Sequence, residues 1–224
     1  MSSPDSFIDE VTEEVRRDRL FAAFRQYGWI AIVVVLAIVG GAGWNEWSKA
    51  QVIARAQAFG DGVTDSLDLG GPDARRAALA GLPADNGQVA IRQLLLASDP
   101  TEDRAGTLAA LDALAADASQ TMIYRDLAVL RRVTVAGAEQ PLAERRMMLE
   151  PLTAPGRAFR TLALEQMAYL LVEEAKTDDA IAALTALLQD QEAPEGLRRR
   201  ASQMITALGG DLPEPDPIPM AQDG

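Results

Sequence analysis

The hydrophobic positions of this chain follow two patterns. One is an unbroken block of 20 residues, Gln26 to Asn45, with no charge between Arg25 and Glu46. The other begins after that block and runs to Gly209, where apolar side chains recur at intervals of three and four between short turns, without sustained apolar-polar alternation. Intervals of three and four place side chains on one face of a helix, whereas a half-buried strand needs a period of two. The chain is therefore predicted to be all-α.

At about 1.5 Å per residue, the uncharged block makes a helix of roughly 30 Å, the thickness of a bilayer's hydrocarbon layer. Tyr27 and Trp29 stand at one end and Trp44 and Trp47 at the other, so all three Trp residues of the chain lie where amphipathic rings favour the headgroup layer. A buried core helix would need apolar neighbours around its whole circumference, and the remaining segments are alanine-rich and amphipathic. A cleaved signal peptide is the other alternative, with Gly41-Ala42-Gly43 as its small-residue cleavage site. Against it, the leader is long and carries Asp5, Asp9, Glu10, Glu13, Glu14 and Asp18, and the helical pattern continues past Trp44. The block reads as a single transmembrane helix over residues 28–47. Arg16, Arg17, Arg19 and Arg25 precede it and only Lys49 and Arg55 follow closely, which predicts a cytoplasmic N-terminus and a translocated remainder. Ala37 and Gly41 offer a small-residue face to another membrane helix or to lipid.

On the N-terminal side, residues 1–27 form an expected cytoplasmic amphipathic segment. Phe7, Ile8, Val11 and Val15 keep helical intervals, Ser6 and Asp9 have capping-box-like spacing, and Leu20, Phe21 and Phe24 continue the apolar face. Beyond the span, Trp47, Ile53, Ala56, Phe59, Val63 and Leu67 keep the period. Gly60 and Gly62 are expected to weaken this helix and Gly70-Gly71 to end it, with Pro72 opening the next as an N1 residue.

Residues 48–209 then read as a helical repeat domain. Turns at Asp85-Asn86-Gly87, Ser98-Asp99-Pro100, Gly137 to Pro141, Ala154-Pro155-Gly156, Lys176-Thr177-Asp178 and Ala193-Pro194 divide it into short helices. The stretch Leu108 to Ala115 (LAALDALA) returns 73 positions later as Ile181 to Leu188 (IAALTALL), close to two periods of roughly 36. Helical hairpins of fixed period bury their apolar faces by stacking on their neighbours. In the clearest unit, Thr161 to Pro194, the first helix presents Leu164, Met167, Ala168 and Leu171, Ala175 ends it, and the second presents Ala180, Leu184 and Leu187. Weaker units occupy Gly87 to Asp117, where Leu95 stands at a small-residue position, and Ser119 to Glu150. Glu195 to Leu208 is a capping helix. Residues 210–224 place proline at every second position from Pro213 to Pro219 and read as a disordered proline-rich tail.

The small residues Ala168 and Ala180, twelve apart, resemble the consensus of a tetratricopeptide repeat, with leucine for the usual first-helix tryptophan and proline two positions late. The order of parts, with the Phe24 to Trp47 block leading into repeats, resembles the YfgM family, the ancillary subunits of the bacterial Sec translocon. The resemblance implies a single-pass protein of the bacterial inner membrane with a periplasmic tetratricopeptide-like solenoid. It implies as partners the Sec translocon and periplasmic chaperones or translocating proteins, besides the lipid bilayer. Aligned on such repeats, Arg92, Arg125, Arg132, Glu165 and Tyr169 fall at groove positions of first helices; the alternative for each is an ordinary solvated side chain.

Composition narrows the chemistry. With no His and no Cys, the chain cannot build Ser-His-Asp triads, Cys-His pairs, thiol redox centres or ordinary zinc sites. Asp99, Glu102 and Asp103 read as a solvated turn with capping duty. No catalytic residue, cofactor, metal or small-molecule substrate is expected. Formal charge is −12, and because six of the 33 acidic and four of the 21 basic residues precede the uncharged block, −10 of it follows. That balance argues against nucleic acid; the cluster Arg198, Arg199, Arg200 is the local exception and reads as the basic surface of a terminal helix. The expected function is a non-enzymatic, membrane-anchored adaptor. The alternatives are an anchored repeat subunit of cytochrome c maturation and a carboxylate-dependent envelope hydrolase.

Overall fold

The computed structural model describes residues 4–213 and, within the first helix, the side chains from Arg25 onward other than Tyr27 and Ala31. The expected amphipathic face of residues 1–24, the interfacial role of Tyr27 and most of the proline-rich tail, residues 214–224, lie outside the described residues. All regular structure among the described residues is helical. The chain divides into two units, one ending at Asp61 and one beginning at Gly62.

Helix α1, Pro4–Leu67, contains the uncharged block. Its described side chains from Trp29 to Ala58 are all exposed. Among the described residues it is the one helix long and apolar enough to cross a membrane; its candidate span, Gly28–Leu67, reaches a mean hydropathy of 1.8 in a window of which nothing is buried. Trp44 and Trp47 are ring neighbours, with centroids 5.3 Å apart and planes tilted by 44°.

Helix α1 runs through Gly60 and Gly62 to Leu67 and stops short of Gly70-Gly71, as expected. Gly62 has a packing role: a Cβ there would lie 2.4 Å from Cδ1 of Leu82. One turn on, Ser66 Oγ donates to the Gly62 carbonyl at 2.6 Å. The chain breaks at Gly70-Gly71, and α2, Pro72–Gly81, starts on its proline behind an extended Gly71.

The second unit continues as α3, Gly87–Leu96, α4, Arg104–Ala116, α5, Met122–Ala136, α6, Leu142–Leu149, α7, Arg160–Glu173, α8, Thr177–Gln189, and α9, Glu195–Ala207. Short 3-10 turns follow α5 and α6, at Gly137–Glu139 and Glu150–Thr153. The turn chemistry is local. Asp103 caps α4 by accepting from Gly106 N at 2.8 Å. Gly137, Gly156 and Gly209 adopt positive φ, and Ala175 does so at φ 58°, terminating α7.

From α2 to α9, consecutive helices pack on one another. Their apolar residues form three cores in series. Ala90, Leu111, Leu114 and Ala128 join α3, α4 and α5. Leu130, Val133, Leu149, Ala163 and Leu170 join α5, α6 and α7. Ala168, Leu184, Leu187, Leu197, Ala201 and Ile205 join α7, α8 and α9. Helices α5 and α7 are thus walls shared by two cores. This explains a departure from expectation on α7, where Leu164, Met167 and Leu171 are only half-buried while Ala163, Ala168 and Leu170 are buried: the helix is pressed from two sides. Ala168 and Ala180 have no exposed surface, so their lack of bulk lets α7 and α8 approach closely. Leu95 is half-buried, and Ala90 in α3 and Ala97 at its C-cap, both fully buried, fill the tight positions instead.

Candidate binding groove

One side of the second unit carries an open groove of about 520 Å³. Helix α5 lines it with Leu130, Arg131, Thr134 and Val135, α7 with Leu162, Glu165, Gln166 and Tyr169, and α9 with Arg200. The four α7 positions are spaced i, i+3, i+4 and i+7, a single stripe along the helix. Apolar contact comes from Leu130, Val135 and Leu162, and the remaining side chains are polar.

Glu165 is the buried centre of these polar residues, with a relative exposure of 2%. Its Oε1 accepts from the Tyr169 hydroxyl and from Arg200 Nε, both at 2.8 Å, and its Oε2 accepts from Arg200 Nη2 at 2.7 Å. A fork of two parallel bonds to a carboxylate is the strongest ion-pair geometry a guanidinium makes. Arg200 keeps half of its side chain in solvent. The hydrogen bond to Glu165 raises the Arg200 pKa above its ordinary value. Burial, then the bond to Glu165, pushes the Tyr169 hydroxyl up. Arg131 differs: Nη2 donates to the Ala97 carbonyl at 2.7 Å, and no carboxylate pairs with it among the described residues.

The Glu165–Arg200 bridge belongs to a series. Arg157 donates to Asp126 at 2.5 Å, 31 residues away; Arg160 to Asp190 at 2.5 Å, 30 away; Arg145 to both oxygens of Glu173 at 2.8 and 2.5 Å, 28 away; Arg104 to Glu139 at 2.6 Å, 35 away. Each arginine reaches a neighbouring layer of helices, so the pairs fasten elements that the apolar cores stack. Asp126 is the least comfortable member. Burial raises its carboxyl pKa against the opposing pull of Arg157 and Arg125, and Arg157 Nε is itself buried without a partner.

Of the five groove residues expected from the sequence, the structure brings Glu165 and Tyr169 together and places the other three elsewhere. Arg92 donates to the Leu82 carbonyl at 2.7 Å, holding the turn before α3. Arg125 donates to the Ala115 carbonyl near the end of α4 at 3.2 Å. Arg132 pairs with Asp112 at 2.5 Å and Gln140 at 2.7 Å, facing α4 and the turn before α6. The cation that lines the groove from α5 is Arg131, one residue earlier. Comparison with family models, curated proteins and solved structures finds no match to this chain.

The groove offers apolar contact, a guanidinium with no carboxylate partner among the described residues and a pre-formed Arg–Glu–Tyr cluster, a set suited to holding a chain segment. A smaller recess of about 240 Å³ lies among Arg75, Arg76, Ser98, Asp99 and Glu102. Its charges are already matched, Arg75 to Glu102 at 3.7 Å and Arg76 to Asp103 at 3.1 Å. Asp99 Oδ1 accepts from Thr101 Oγ1 at 2.6 Å and from the Thr101 and Glu102 amides, the turn-forming duty its spacing predicts; these bonds hold its carboxyl below the usual range. Among the described residues no group of three or more acidic side chains is placed to hold a metal ion.

Proposed function

We propose that this chain is a non-enzymatic adaptor, anchored by α1 in a bacterial inner membrane with its N-terminus in the cytoplasm. The helices after the span form a tetratricopeptide-like solenoid in the periplasm. The groove of α5, α7 and α9 holds a protein segment close to the Sec translocon and passes it toward periplasmic chaperones. The supporting observation is the pairing, in one chain, of an apolar helix with exposed side chains and a helical unit whose groove presents apolar and cationic groups to solvent. The small residues at Ala168 and Ala180, and the three cores in series, fit stacked hairpins. Anchoring raises the effective concentration of the groove at the membrane, so weak contacts suffice.

The reading is tested by placing a photo-crosslinking residue at Tyr169, in the groove, or at Ala182, exposed on α8, in intact cells. Translocon or envelope proteins should be captured from position 169 and not from 182. Capture of neither class from 169 ends the adaptor reading.

A further inference from the structure

We infer that the groove selects an extended protein segment by an internal Asp or Glu side chain held at Arg131, with an adjacent apolar residue seated on Leu130, Val135 and Leu162. The inference rests on the binding role proposed above and adds the chemistry of the bound segment.

Charge complementarity carries it. The chain after the uncharged block has a balance of −10, yet the groove contains two arginines and one carboxylate. That carboxylate is already committed: Glu165 is 2% exposed, accepts three hydrogen bonds from Tyr169 and Arg200, and has its charge matched by the Arg200 guanidinium. A basic segment would therefore meet two guanidinium groups and no free acid. Arg131 stands in the opposite condition. The arginines that reach between layers, Arg104, Arg145, Arg157, Arg160 and Arg200, each have a carboxylate within 3 Å, whereas among the described residues Arg131 has only the Ala97 carbonyl. That single bond to Nη2 fixes the guanidinium while leaving its other donors for a ligand. The apolar residues adjoin Arg131 on α5 and face it from α7, so one segment can use both kinds of contact. The groove is open, which suits a chain passing through it and hence a side-chain carboxylate.

The test uses the full chain in lipid nanodiscs and fluorescent peptides blocked at both ends, one containing Leu-Glu-Leu and one Leu-Gln-Leu in a Gly-Ser background. A third peptide has the Gln sequence and a free C-terminal carboxylate. Fluorescence anisotropy should give about tenfold tighter binding of the Glu peptide than of either Gln peptide, the range of a hydrogen bond to a charged group, and raised salt should reduce that preference. Arg131→Gln should erase the preference and keep the weak binding of the Gln peptide; Arg131→Lys, which retains the charge, should keep most of it. Equal binding of the Glu and blocked Gln peptides, a preference that survives Arg131→Gln, or tighter binding of the free-carboxylate peptide overturns the inference while leaving a groove that binds segments. Binding of no peptide at all overturns the groove's binding role itself.

Discussion

The block Val33 to Val39 of α1 and the hairpin of α7 and α8 draw most of their apolar residues from the same set, Ala, Val, Ile and Leu, and these end in opposite conditions. Val33, Val35, Leu36, Ile38 and Val39 are 51–66% exposed, while Leu184 and Leu187 are 0% and 2% exposed. Burying such a side chain is worth about 1.5–3 kcal/mol, so composition alone would drive both regions inward. What separates them is arrangement. In α8 the bulky residues Ile181, Leu184, Leu187 and Leu188 recur at helical intervals, and the exposed positions include Asp178, Asp179, Ala182, Ala186 and Gln189, leaving one face to pack and one to wet. In α1 they occupy the full circumference, and no single protein neighbour covers that. A helix apolar on every side calls for a surrounding that is apolar on every side, and lipid is one.

The comparison breaks most visibly if the block is made polar. Val34→Arg together with Ile38→Arg should add about 2.5–3.5 kcal/mol per residue to insertion and move the protein from the membrane pellet into the soluble fraction on carbonate extraction. The pair Val52→Arg and Ile53→Arg, beyond the Trp44–Trp47 end, should leave it in the pellet. Retention of the first pair in the membrane would mean that the block needs no lipid.

Next in size are changes to the hairpin. Leu184→Ala should cost about 2–5 kcal/mol in urea unfolding followed by circular dichroism, because a fully buried leucine leaves a cavity. Ala168→Leu should cost about 1–3 kcal/mol by overpacking the contact of α7 with α8. Leu36→Ala, in the exposed block, should leave the same transition unmoved. If Leu36→Ala shifts it as Leu184→Ala does, the two regions are not distinct environments.

The smallest effect concerns pH and the second unit alone. Burial lifts the Asp126 carboxyl above its ordinary 3.8, so the folded chain holds that proton more tightly than the unfolded chain. The stability it contributes is complete below the unfolded pKa and disappears as pH rises through the folded one. Relative to Asp126→Asn, the wild type should therefore lose ground in urea midpoint as pH rises through the range just above 3.8. Glu173 acts with the opposite sign, since the hydrogen bond from Arg145 lowers its pKa and its contribution is lost on acidification. A wild-type advantage over Asp126→Asn that grows with pH would contradict the assignment.

Helix pairs were legible because their punctuation is chemical. The bounds of α3 with α4, α5 with α6, and α7 with α8 follow the Gly, Pro and Asp turns, and Ala168 and Ala180 announce close contact in advance. Glycine was ambiguous where its role depends on a distant partner. Gly62 reads only as a weak point in a helix until Leu82 is seen against it. The groove was half legible for a related reason. Residues 131 and 132 lie about 100° apart on a helix, so a one-residue error of phase exchanges the groove for the α4 side. Arg200 was hidden in a run of three arginines. The signal that would have singled it out is its offset of 35 from Glu165, the same interval that separates Arg104 from Glu139.

Helix α9, the last among the described residues, closes the third core and also supplies Arg200. If this end layer frays, Glu165 loses two of its three hydrogen bonds and the groove loses a rim in the same event. In the proposed binding role, readiness to bind is tied to the seating of one peripheral helix, and slow amide exchange along Leu197 to Ile205 would be the sign that the latch is shut.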